Sequence, residues 1–128
     1  MSIVGRWTWG KKARLVTEAL RAAGVSDAPV AVVERPALAR LLAGGRRVDA
    51  IGAGQRGALS SEYGAVVGEP QGEAELEHWV RALRPGGAIV LIGRGPREEA
   101  SRWVLCAGLV DIEQRVAGRW FVTSGRRR

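Results

Sequence analysis

Cysteine occurs once in this 128-residue chain, at position 106, so no internal disulfide is available and a zinc site built from several thiolates is excluded. A reducing cytoplasm is the setting expected for such a chain. Long apolar runs are missing as well. The opening residues, Met1-Ser2-Ile3-Val4-Gly5-Arg6-Trp7, lack the core of a secretory leader, and no later run approaches the ~20 residues that span a bilayer. A soluble protein without membrane contact is the expectation. Histidine also occurs once: His78, alone on a glutamate-rich segment, reads as solvent-facing or locally hydrogen-bonded and not as a base or ligand. Cys106 reads as a small buried apolar group. Lysine is confined to Lys11 and Lys12, so the excess of 20 basic over 13 acidic residues, a net charge of +7, is almost wholly arginine. An ordinary solvated surface accounts for that excess, and so does an anionic partner such as nucleic acid; no basic stripe decides between them.

What is present is the usual globular mixture, 46% hydrophobic and 26% charged, at a length that fits one core. Residues 1–125 read as a single domain and 126–128, three arginines, as a basic tail. Ile3 and Val4 suggest a short strand running into a loop from Arg6 to Gly10. Over 12–23, Leu15, Val16, Ala19, Leu20 and Ala23 recur at helical steps, and Gly24 stands where a C-cap belongs. Residues 29–33 form a β-branched run without alternation, as in a strand buried on both faces. Pro36 opens a helix carrying Leu38, Leu41 and Leu42, which Gly44 and Gly45 stop. Short strands are expected at 48–51 and 63–67, with the glycines at 52, 54 and 57 making a connector between them.

Residues 73–83 place Leu76, Trp79, Val80 and Leu83 on one helical face, with acids early and arginines late, matching the helix dipole. A turn at Pro85, Gly86 and Gly87 leads into an apolar strand at 88–92. Pro96, Glu98 and Glu99 start a helix bearing Trp103, Val104 and Ala107 and ended by Gly108. Residues 110–116 and 119–123 alternate as a hairpin. Helix alternating with strand, closed by a hairpin, predicts an α/β fold: a doubly wound, mostly parallel Rossmann-like sheet of minimal size. Ligands of such sheets bind beyond the carboxyl ends of the strands.

A helix, then Leu83-Arg84-Pro85-Gly86-Gly87, an apolar strand, a helix ending at Ala107-Gly108-Leu109 and a hairpin together resemble the later half of class I S-adenosylmethionine-dependent methyltransferases. The resemblance covers residues 73–125. In that family the turn leads into the fifth strand, and the hairpin supplies the antiparallel pair. The resemblance implies that the chemistry lies earlier, in a strand ending in an acid and followed by closely spaced glycines that let the backbone approach the cofactor. The equivalent stretch here is 2–10. Gly5 and Gly10 stand for those glycines, no acid is present, and Trp7 and Trp9 put two large side chains where a cofactor needs space. Glu34 matches the acid that binds the ribose hydroxyls. The acid often facing the adenine has no counterpart among Gly52, Ala53 and Gly54, and Glu69 is the one polar candidate after the strand at 63–67.

Three functions follow as expectations. The first is a methyltransferase-like pseudoenzyme with no catalytic residue, no cofactor and no metal. It would serve as a protein-binding or scaffolding module, meeting a protein or a second copy of itself through Arg6, Trp7, Trp9 and Lys11, since Trp and Arg are enriched at interface hot spots. The second is a minimal active methyltransferase in which Gly5, Gly10 and Glu34 hold S-adenosylmethionine. The third is a nucleic-acid-associated module using the arginine-rich surface. Trp79, Trp103 and Trp120 read as packing residues, and the glycine-rich stretch 52–57 lacks the Lys-Ser/Thr of a nucleotide triphosphate loop.

Overall fold

The computed structural model describes residues 3–25, 27–55, 59, 62–94 and 97–128, with residues 3–9 described by their backbone alone. The first element corrects an expectation. Helix α1 spans Ile3–Ala22, so neither the strand at Ile3 and Val4 nor the loop from Arg6 to Gly10 forms. Two apolar residues are too few to hold a strand. A helix already set by the stripe Val16, Ala19 and Leu20 extends at one hydrogen bond per residue, against a cost of about 1 kcal/mol for each of Gly5 and Gly10. The carboxyl end is as expected: Gly24 is left-handed (φ 74°), Val25 N–H donates to the Leu20 carbonyl and Gly24 N–H to that of Arg21.

The remaining elements are β1 (Val30–Val33), α2 (Pro36–Leu42), β2 (Val48–Ile51), β3 (Tyr63–Gly68), α3 (Glu73–Arg81), β4 (Leu83–Arg94), α4 (Arg97–Cys106), β5 (Val110–Ala117) and β6 (Trp120–Arg126). They build a six-stranded sheet in the order β2-β1-β3-β4-β6-β5. The pairs among β2, β1, β3 and β4 are parallel, and those of β6 with β4 and β5 are antiparallel. This is the class I methyltransferase-like architecture that the sequence leads one to expect. Successive strand residues face opposite layers. Val30, Val32, Val67 and Val90 pack with α1 and α2, whereas Ala31, Val33, Val66 and Ile89 pack with residues of α3 and α4 such as Trp79 and Val104.

The turn at Leu83 to Gly87 is incorporated in β4. Tyr63 pairs with Leu83 and Ala65 with Ala88, so five steps on β4 face two on β3, and the excess bulges outward. Gly86 is left-handed there (φ 80°), and a Cβ on Gly87 would sit 2.9 Å from the Arg84 carbonyl oxygen. The three terminal arginines are not alike. Arg126 ends β6 and pairs with Asp111 at 2.6 Å. Arg127 exchanges backbone hydrogen bonds with Gly86 and Gly87, and its guanidinium donates to the carbonyls of Val80 and Leu83 at 3.2 and 2.6 Å. Cys106 is exposed at the end of α4, not buried, because Ala100 and Val104 take that helix's inward positions. Among the described residues no helix is long and apolar enough to cross a membrane, and no group of His, Cys, Asp and Glu is placed to hold a metal.

Candidate functional site

The chain leaves β1 toward β2 on one side and enters β3 on the other, so the sheet reverses its direction of growth between β1 and β3. A crevice opens beyond the carboxyl ends of strands at such a point. Here it is a cavity of about 640 Å³ lined by Val33, Glu34, Arg35, Glu69, Pro70 and Gln71. Glu34 sits directly after β1 in the left-handed region (φ 52°), with its N–H donated to the Ile51 carbonyl at 2.7 Å and its side chain exposed. A non-glycine residue held at positive φ costs about 1 kcal/mol and marks a place where the fold dictates side-chain direction. Arg35 and Glu69 join the ends of β1 and β3 by an ion pair of 3.0 Å, with the guanidinium mostly buried and the carboxylate exposed. Gly68 ends β3 where a Cβ would lie 3.0 Å from the Cβ of Val33 and 3.2 Å from the Trp79 ring, so the strand end is closely backed.

The crevice continues along the sheet edge. Glu69 and Pro70 also border a smaller cavity of about 120 Å³ that reaches Arg94, Trp103 and Phe121. Arg94 in turn borders a third, of about 410 Å³, against α1. At this end Lys12, only 5% exposed, lays its ammonium 3.3 Å from the centre of the Trp120 ring, and Arg94 lies 5.5 Å from the same ring. Burial first, then the charges of Arg35 and Arg94, hold the Lys12 ammonium below its usual pKa.

Of the residues expected to hold a cofactor, only Glu34 reaches the crevice. Gly5 and Gly10 lie within a helix, and a Cβ at Gly10 would meet no described atom within 4 Å, so no close backbone approach requires glycine there. Lys11 is exposed; the side chains of its expected companions Arg6, Trp7 and Trp9 lie outside the described residues. Beyond β2, Gln55 turns back to accept the Gly52 N–H at 3.1 Å, within a single 3-10 turn at Ala53–Gln55. Asp49 points away from the crevice, toward the Tyr63 hydroxyl and Arg47. Arg94 and Trp120 gave no local signal. They meet because β6 runs antiparallel to β4, with Trp120 opposite Arg94.

No family model matches the sequence, and no curated protein matches it. Solved structures do match. Human N-acetylserotonin methyltransferase in complex with S-adenosylmethionine superposes with a TM-score of 0.65 at 14% identity, covering 94% of this chain and 52% of that one. The ribosomal protein L11 methylase of Lactobacillus delbrueckii subsp. bulgaricus gives 0.68 at 14% identity over 92% and 79%. A 16S rRNA methyltransferase of T. thermophilus in complex with AdoMet and guanosine gives 0.51 at 21% over 78% and 35%. The chain thus spans about half the length of the first of these and a third of the last. At such identities the likeness is one of fold.

Proposed function

We propose that this domain is a methyltransferase-fold binding module that does not transfer a methyl group by itself. The observation that supports this reading is α1: the residues that the resemblance assigns to a glycine loop are helical, and β1 is hydrogen-bonded directly to β3. The Leu83–Gly87 turn accordingly opens the fourth strand of this sheet, where the family's opens the fifth. The strand short is the one that would bring a glycine loop to the cofactor. Of the three residues assigned to S-adenosylmethionine, only Glu34 lines the crevice, and function resides in the site and not in the fold. The partner we assign is a protein met at the amino-terminal half of α1, where Lys11 is exposed. Isothermal titration with S-adenosylmethionine and with S-adenosylhomocysteine is expected to give no binding heat; micromolar binding of either overturns the reading.

One observation favours a second reading. Glu34 projects from the end of β1 at the open crevice, where a carboxylate can accept hydrogen bonds from both hydroxyls of a ribose. If the titration shows binding, Glu34→Ala is expected to abolish it. The domain would then be a cofactor-binding methyltransferase whose own residues serve by positioning.

A further inference from the structure

The cavity against α1 has a composition unlike the rest of the surface. Lys11, Lys12, Arg94 and Arg119 line it together with Leu15 and Trp120, and among the described residues none that lines it is acidic. All acidic residues of the chain are among those described. Like charges gathered in one concavity repel, and a cleft lined by one sign of charge focuses its field and draws in counter-ions. We propose that this cavity is a binding site for the phosphate group of a nucleotide or of a nucleic-acid backbone.

The side chains are held in a manner suited to that ligand. The Trp120 ring orients two of the four cations, with the Lys12 ammonium 3.3 Å and the Arg94 guanidinium 5.5 Å from its centre. Stacking on an indole removes the rotational freedom that a long basic side chain would lose on binding. Arg94 and Arg119 are both exposed and bring planar forks, which match two phosphate oxygens at once, while Lys12 supplies a point charge from the wall. Leu15 and the indole edge leave an apolar surface beside the cations for a sugar or base. Burial first, and then the charges of Arg35 and Arg94, disfavour the charge on Lys12, and a bound phosphate offsets the repulsion between the cations. None of this depends on whether the Glu34 crevice takes S-adenosylmethionine.

The test uses the full chain and three probes at low salt: a labelled short oligouridylate followed by fluorescence anisotropy, and uridine 5′-monophosphate and inorganic phosphate followed by calorimetry. The double variant Arg94→Gln/Arg119→Gln is expected to weaken binding at least about tenfold and to lower the slope of log K against log salt by about two. The charge-matched control Arg84→Gln/Arg102→Gln removes two exposed arginines that do not line the cavity and is expected to stay within about twofold of the wild type. Circular dichroism on both variants confirms that they fold. Equal affinities for the monophosphate and the oligonucleotide assign the site to a free nucleotide, and a preference of about tenfold or more for the oligonucleotide assigns it to a nucleic acid. Equal losses in the two double variants reduce the effect to diffuse charge and overturn the proposal, as does the failure of all three probes to bind the wild type. Since the probes lack the methyl donor, failure here leaves the S-adenosylmethionine titration to be judged by itself.

Discussion

The two ends of the sheet hold arginine in opposite ways. At the amino-terminal end three guanidiniums meet oxygens: Arg47 reaches Asp49 at 2.7 Å and Glu62 at 2.8 Å, Arg126 reaches Asp111, and Arg127 takes two carbonyls. At the carboxyl-terminal end Arg35 has Glu69, but Lys12 and Arg94 gather on the ring of Trp120 with Arg119 beside them. The first arrangement neutralises charge and ties strands together. The second concentrates charge at the edge where a doubly wound sheet receives its ligands. Similar side chains therefore act as fasteners at one end and as a recognition surface at the other, and substitutions should separate the two roles.

The largest effect is expected at the amino-terminal end, from Gly64→Val. A Cβ on Gly64 would overlap that of Ala28, and the Gly64 N–H bonds the Pro29 carbonyl at 2.8 Å, so a side chain wedges β1 from β3 where their pairing begins. Urea unfolding should show a loss of about 3 kcal/mol, whereas Arg119→Gln at the exposed turn of the other end should stay within about 0.5 kcal/mol. Equal losses would erase the contrast between the ends. Next comes Arg127→Ala, which leaves the carbonyls of Val80 and Leu83 without this charged donor and frees the chain end that closes the β4 bulge. A loss of about 2 kcal/mol is expected, and a neutral result would return Arg127 to the role of a solubilising tail.

The smallest effect concerns Tyr63, the only tyrosine, so that its ionisation is read directly in the ultraviolet. Burial first, then its hydrogen bond to Asp49 at 2.7 Å, push its hydroxyl up to about 12 from a usual 10. Because the folded value is the higher one, the stability this group contributes is complete below pH 10 and is lost as pH rises from about 10 to about 12. Tyr63→Phe should flatten that loss and cost about 1 kcal/mol at neutral pH. A midpoint near 10 in the folded protein would show that the fastening at Asp49 does not exist. Asp49 is depressed, chiefly by Arg47, so its contribution is present above its ordinary value and lost as pH falls through the lower folded one.

Much of the architecture was legible residue by residue. The strands at Val30–Val33 and within Leu83–Arg94 announce themselves as apolar runs because both faces of a central parallel strand are covered. The stripe of Leu76 and Trp79 and the stops at Gly24 and Gly108 needed only local chemistry. The first turns of α1 were misread because Gly5 and Gly10 weaken a helix without forbidding it, and the cost is recovered by a helix already anchored further along. Glu34 was found because its place after a strand is a sequence property. The Arg35–Glu69 bridge, across 34 residues, and the stack of Lys12, Arg94 and Trp120 were not, because each joins segments that meet only through strand order.

By itself, then, the sequence determined the element types from about Lys12 onward, the covered layers and the place of the glycine turn after Leu83, since these follow from periodicity, side-chain volume and backbone freedom over a few residues; that this turn is a bulge within β4 was not among them. Only the tertiary structure decided that residues 3–10 are helical, that β1 lies against β3, and that four cations and an indole share one cavity. Sheet order and antiparallel register are the cause: they set which distant residues become neighbours, and no local preference along the chain carries that information.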